Sequence, residues 1–276
     1  MVKKRVISAA LLIVIMLGCV FLSQVSRLLF FALAGCLCAY EYSTQMEKLN
    51  MFCSLYVMIL YLIVHTLLVL LGAGLTAYCA CFIGAVYLAM LSGILRRRVS
   101  GNGALDTVAG LTYPCVLFAV IMVIAVSDIW LEALALGCLS AWSCDTGALL
   151  GGSRFGRHKL APAISPNKTV EGALFGALAS VAAGFLIYWL GAALSGVAWI
   201  GGLYQPLPLW VCVLTAFAAS TMGQLGDLAE SLIKRMLGVK DFSDLIPGHG
   251  GVFDRADSLL FSIPTAYLCL RIMKLL

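Results

Sequence analysis

The chain has 276 residues, 62% of them hydrophobic and only 11% charged, with a mean hydropathy of +1.03. Soluble globular chains average about 45–50% apolar and about 25% charged residues. The 18 basic and 13 acidic side chains cannot clothe a water-soluble fold of this size, so a soluble enzyme is excluded and no nucleic-acid partner is expected. The net charge of +5 informs through its distribution rather than its size.

In chain order the apolar segments run over residues 5–22, 27–40, 52–71, 75–95, 107–126, 129–144, 172–190, 209–227 and 257–276. A helix crossing about 30 Å of hydrocarbon needs about 20 apolar residues, so 27–40 and 129–144 are short for a span. The expected fold is an all-α polytopic membrane protein of about nine transmembrane helices, read as one integral domain over 1–276. With Lys3, Lys4 and Arg5 on the inside, 15 of the 18 Lys and Arg residues face the cytoplasm, and only Arg27, Arg271 and Lys274 do not. That asymmetry is the positive-inside signal. It predicts a multi-pass protein of a bacterial inner membrane with a cytoplasmic N-terminus. Residues 1–22 resemble a signal peptide in charge and hydropathy, but no small-residue cleavage site follows, so a first membrane helix is expected there.

The 11 cysteines lie mostly inside apolar runs, include no CxxC pair and are odd in number, which fits small buried hydrophobes rather than zinc sites or disulfides. In "GALFGALASVAAG", Gly172, Gly176, Ser180 and Gly184 recur every four residues, a face that lets helices approach closely. The loop 191–208 carries no charge.

Two stretches on the predicted inner side hold the unusual residues. "CDTGALLGGSRFGRHKLAPAISPNKTVEG" follows one apolar helix, and "GQLGDLAESLIKRMLGVKDFSDLIPGHGGVFDRADS" ends another. Asp145 and Asp227 are expected at the inner ends of those helices. A carboxylate at that depth costs several kcal/mol unless paired, hydrated or bound to metal. Continued past 227, the helix from 209 would place Gly223, Asp227, Glu230, Ser231 and Lys234 on one face. The segment through Gly238, Pro247, Gly248, His249, Gly250 and Gly251 cannot be one helix, and its glycines allow backbone amides to approach an anion. Asp254 and Asp257 are expected one turn apart at the start of the last helix, where acids suit both the dipole and a hard cation. "SPNKT" is expected to bring Ser165, Asn167, Lys168 and Thr169 to a helix N-terminus, which favours anions. The basic run Arg154, Arg157, His158 and Lys159 suits anionic headgroups equally well. Acids for a divalent cation, bases for phosphates and a glycine-rich bend thus gather at the membrane rim, whereas a transport site would sit nearer mid-bilayer.

The run Ser231-x-x-Lys234-Arg235, Lys240-Asp241, Pro247-Gly248-His249-Gly250-Gly251 and Asp254-Arg255-x-Asp257 resembles the signature of the phosphatidate cytidylyltransferases. "GDLAES" and "FGRHKLAPAISPNKTVEG" are similar to that family too, and the likeness covers roughly residues 140–276. Residues 1–140 resemble it only as apolar helices, with a lipid entrance as their expected part; 141–276 is the expected catalytic half. Phe242-Ser243-Asp244 stands where small or polar residues are usual, and "DTGALLGG" lacks an aromatic common near Leu149.

The resemblance implies transfer of a cytidylyl group from CTP to phosphatidate with Mg²⁺, a second cation being left open, at a site on the cytoplasmic interface. It assigns the metal to Asp145, Asp227, Asp254 and Asp257. Catalytic roles fall to Lys168, Lys234, Arg235, Lys240, Asp241, His249 and Arg255. Substrate binding falls to Ser165, Asn167, Thr169, Ser231, Gly248, Gly250 and Gly251. CTP and bilayer phosphatidate are the implied partners, with a homodimer as a further expectation. A cytidylyltransferase for another lipid phosphate and, in a different class, a transporter stay open. A CDP-alcohol phosphatidyltransferase does not fit, because no Asp-Gly pair occurs in the chain.

Overall fold

The computed structural model describes residues 14–95, 103–194, 207–246 and 250–273. After helical residues 14–22 come α1 (Gln24–Lys48), α2 (Leu55–Leu70), α3 (Leu75–Leu95), α4 (Gly103–Ala125), α5 (Trp130–Phe155), α6 (Val170–Leu194), α7 (Leu209–Met236), the short α8 (Phe253–Ala256) and α9 (Leu259–Met273). Among the described residues, seven helices are long and apolar enough to cross a membrane, α8 and α9 counted as one run; α2 is apolar but shorter. Of the first predicted segment, residues 5–13 lie outside the described residues and 14–22 are helical.

The structure corrects several boundaries. The segments expected at 27–40 and 129–144 are helices of 25 and 26 residues, long enough to span. Hydropathy falls where Glu41, Gln45 and Asp145 enter, but backbone hydrogen bonding carries the helix through polar residues unchanged. For the same reason Asp145 does not end its helix, which continues to Phe155. "SPNKT" is not helical: Ser165–Thr169 is a strand, β2, antiparallel to β1 (Lys159–Ala161). A small hairpin therefore interrupts the otherwise all-α fold. Asp254 and Asp257 do not share one helix, since Asp257 lies in the turn between α8 and α9. Of the loop 191–208, residues up to Leu194 belong to α6 and 195–206 lie outside the described residues.

The chain divides into two compact units, one of residues 1–126 with 237–255, the other of 127–236 with 256–276. The segment from Leu237 to Arg255 therefore groups with the N-terminal helices rather than with residues 141–236. Inside the first unit, α1 and α4 close on one another at Gly35, where a β-carbon would lie 3.1 Å from that of Phe118. Leu28, Met58, Leu62, Ile121 and Met122 fill the surrounding core. Arg27, buried in the same unit, donates from Nε to Ala125 O (2.5 Å) and from Nη1 to Val20 O (2.9 Å). A guanidinium on the terminal carbonyls of a helix satisfies groups that have no partner within it.

In the second unit the four-residue small stripe of α6 does what its spacing suggests. Gly176 faces Cys144 of α5, with a β-carbon position 2.8 Å from Cys144 O, and Gly184 faces Cys212 of α7 at 2.8 Å from its carbonyl. Between them Ser180 donates to Ser220 Oγ at 2.7 Å. Gly147 and Gly151 of α5 press on Ala179 and Phe175 in return. Close backbone approach of this kind packs membrane helices through van der Waals contact where no hydrophobic drive exists.

Gly184→Val would force α6 from α7 and is expected to cost about 1–3 kcal/mol, read as a lower melting temperature in detergent. Gly84→Ala, with no atom within 4 Å of the new β-carbon, is expected to leave it unchanged.

Candidate functional site

In the second unit the polar residues collect around Asp227. The helix from 209 does continue, as α7 to Met236, and turns Asp227, Glu230, Ser231 and Lys234 to one side. Ser231 Oγ donates to Asp227 Oδ1 at 3.4 Å, and Lys234 Nζ pairs with Glu230 Oε2 at 2.5 Å, one turn earlier. Lys168, on β2, places Nζ 2.5 Å from Asp227 Oδ2. The strand delivers it there: β1 and β2 pair Lys159 with Thr169 and Ala161 with Ser165, and Arg235 Nε donates to Ile164 O in the hairpin turn at 3.1 Å. Thr169 Oγ1 then accepts from Gly172 N at 3.1 Å and opens α6.

Asp257 joins this group. Its carboxylate feels the like charge of Asp227 and the opposite charge of Lys234, while Oδ1 accepts from Ser258 N at 2.6 Å. Gly226 allows the approach, because a β-carbon there would lie 2.6 Å from Asp257 O. Asp145, exposed on α5, bears with Lys168 and Asp227 on the thiol of the adjacent Cys144. Asp145, Lys168, Asp227, Ser231, Lys234, Arg235 and Asp257 are thus brought into one neighbourhood. Ser165 and Asn167 lie on β2, Asn167 exposed.

The residues from 237 to 255 are held within the first unit. Asp254, 7% exposed, accepts from Phe242 N (3.1 Å) and Gly251 N (2.7 Å) through Oδ2. Phe242, the departure noted in the signature, is a buried anchor whose ring lies 4.5 Å from that of Phe253. Gly250 adopts φ +81°, a left-handed conformation that glycine enters without steric cost. Lys240, Asp241 and Arg255 are exposed on this segment. Gly248 and His249 lie outside the described residues.

Reading the sequence missed three residues. Glu41 accepts hydrogen bonds from Ser243, Val252 and Phe253; Gln45 Nε2 donates to Phe242 O. Glu171 accepts from the backbone of Arg157 (2.9 Å) and His158 (3.1 Å) and pairs with His158 Nδ1 at 2.6 Å. An acid directly after the apolar run 27–40 was the available signal for Glu41, and an acid in the first turn after "SPNKT" for Glu171.

Among the described residues, no group of three or more His, Cys, Asp or Glu is arranged to hold a metal by itself. Magnesium does not require one, since it commonly takes one or two carboxylates and completes its shell with water and substrate phosphate. The Asp227 and Asp257 carboxylates, two hard oxygen donors whose charges repel, fit such an ion.

Residues 3–273 match the sequence profile of the cytidylyltransferase family. The chain belongs to that family. Among its relatives, the phosphatidate cytidylyltransferase of Staphylococcus haemolyticus is 40% identical over 126 residues, 46% of this chain and 44% of that protein. That of Bacillus subtilis is 41% identical over 137 residues, 50% and 46% of the two chains. That of Brucella suis is 44% identical over 127 residues, 46% and 42%. The chain thus aligns with less than half the length of each of these relatives.

Because Lys168 and Asp227 touch, Lys168→Ala and Asp227→Asn are expected to be non-additive. Contacting residues couple by about 0.5–3 kcal/mol, so in a double-mutant cycle of thermal stability in detergent the double variant should lose less than the sum of the single losses.

Proposed function

We propose that this chain transfers the cytidylyl group of CTP to the phosphate of phosphatidate, giving CDP-diacylglycerol and pyrophosphate. The observation that carries the reading is the Lys168–Asp227–Asp257–Lys234 constellation, in a membrane-helical chain whose relatives bear the name phosphatidate cytidylyltransferase.

The chemistry asks little of a base. A phosphatidate oxygen, already anionic, attacks the α-phosphorus of CTP; the P–O bond to the β-phosphate breaks, and pyrophosphate departs with its electron pair. The difficulty is bringing two polyanions together and stabilising the charge that leaves. Lys168, Lys234, Arg235 and Lys240 neutralise phosphate oxygens and orient the α-phosphorus, with Arg255, Asp241 and His249 as supporting groups. Lys168 and Lys234 are held ready on Asp227 and Glu230, so their ammonium groups need little reordering when a phosphate arrives. Ser165, Asn167, Thr169, Ser231, Gly248 and Gly250 contribute hydroxyl, amide and backbone donors, while Gly251, whose N–H is taken by Asp254, shapes the bend. Asp227 and Asp257 would hold Mg²⁺, with Asp145 and Asp254 as the further carboxylates assigned to it; the bound ion would supply charge neutralisation at the triphosphate.

The same reading places the N-terminus and these residues on the cytoplasmic side of a bacterial inner membrane. The chain there is one integral domain of about nine spans, with 15 of its 18 Lys and Arg residues inside. CTP arrives from the cytosol while the lipid stays in the bilayer, which puts the reaction where helices meet the inner interface.

Purified protein in detergent with CTP, Mg²⁺ and phosphatidate is expected to release pyrophosphate and form a CDP-lipid only when all three are present. Equal release with a polyprenyl-type phosphate would transfer the reading to another acceptor, and no release would reject it. Asp257→Asn is expected to remove most turnover with the protein still folded, and chelation of Mg²⁺ to do the same reversibly. Lys234→Ala should raise KM or lower kcat for one of the two substrates; unchanged constants for both would remove Lys234 from the site.

A further inference from the structure

The segment carrying the end of the family signature is tied down by a residue of the N-terminal helices. Glu41 lies in α1, is 1% exposed, and accepts from Ser243 Oγ (2.6 Å), Val252 N (2.9 Å) and Phe253 N (2.8 Å). One turn later Gln45 Nε2 donates to Phe242 O, so two polar residues of one helix face grip both ends of the bend. Gly251 sits against the same carboxylate: a β-carbon there would be 2.7 Å from each Glu41 oxygen. Gly251 has no left-handed φ, unlike Gly250, so its backbone would accept alanine, and the nearest obstacle to a side chain is the Glu41 carboxylate.

A buried carboxylate is tolerated only where donors replace water, and here all three donors come from the bend. The amides taken are those directly before Asp254, whose own carboxylate takes the amides of Gly251 and Phe242. Two acids thus hold four consecutive or facing positions of the bend between them.

We propose that Glu41 is a positioning residue for nucleotidyl transfer: it acts through the 242–253 bend, setting the direction in which Asp254 and Arg255 are presented. This rests on the reaction proposed above. A residue that acts by placement governs turnover more than affinity, and misplacement of about 1 Å can cost about 100-fold in rate.

The test uses full-length protein in nanodiscs containing phosphatidate, with Glu41→Ala, Glu41→Gln, Gly251→Ala and Glu41→Ala/Gly251→Ala. Glu41→Ala is expected to lower kcat by about 100-fold, with a smaller change in KM for CTP and a rise in deuterium exchange at Val252 and Phe253 but not in α7. Glu41→Gln, which keeps one acceptor oxygen, should recover part of both. Gly251→Ala should be impaired alone yet add less on top of Glu41→Ala, because the three atoms nearest its methyl all belong to Glu41. Normal kcat in Glu41→Ala, protected amides at 252 and 253, or losses that multiply in the double variant would each overturn the proposal. If Glu41→Ala does not fold, unchanged exchange and kcat in Glu41→Gln overturn it instead. Wild-type protein that makes no CDP-lipid would reject the reaction itself, and the exchange measurement would still decide whether Glu41 holds the bend.

Discussion

Charged groups among apolar helices persist only where other charges or backbone donors answer them, and in this chain those answers shape every polar segment. Lys168 answers Asp227, Lys234 answers Glu230, and the amides of Val252 and Phe253 answer Glu41. The Lys234–Glu230 pair is set by the helix itself, one turn apart, whereas the other pairings join residues that the local backbone alone would leave independent. The β1–β2 hairpin has only three and five residues in its strands. Such a hairpin is marginal by itself; here Arg235 holds its turn, and Lys168, delivered by it, meets α7.

In the reaction proposed for this chain, chemistry and structural economy converge at these groups. A phosphoryl-transfer site needs cations and metal-binding acids in place before the substrates arrive, because reorganising them during reaction would add to the barrier. Ion pairs at 2.5 Å hold such groups in a defined position without saturating them, since a carboxylate has several lone-pair sites and an ammonium three donors. The bend from 242 to 253 follows a different logic. There the carboxylates of Glu41 and Asp254 occupy the amides, so the glycines next to them serve the fold of the loop as well as any ligand.

Glycine placement shows the same division. Gly250 answers a backbone demand, its left-handed φ, whereas Gly251, Gly176 and Gly184 answer a spatial one, the approach of a carboxylate or of another helix. All four look alike in the sequence. Only the four-residue spacing in "GALFGALASVAAG" distinguished the helix-packing set, because periodicity is a one-dimensional record of a face.

Much of the fold was legible because membrane insertion writes itself into composition: long apolar runs must be helices where water cannot satisfy the backbone. The order of the long apolar helices and the continuous face of Asp227, Ser231 and Lys234 follow from hydropathy and the 3.6-residue period. Helix ends did not follow, since Glu41 and Asp145 lower hydropathy without breaking the hydrogen-bond ladder, and "SPNKT" forms a strand by pairing with Lys159–Ala161. The sequence by itself determined a helical membrane chain with its charged residues concentrated in 144–172 and 223–258. Tertiary structure decided the partners: which acid faces Lys168, which helix grips Phe242 and Val252, and why Gly251 has no side chain. Those are contacts across up to 212 positions of chain, and no local propensity or spacing encodes a meeting at that separation.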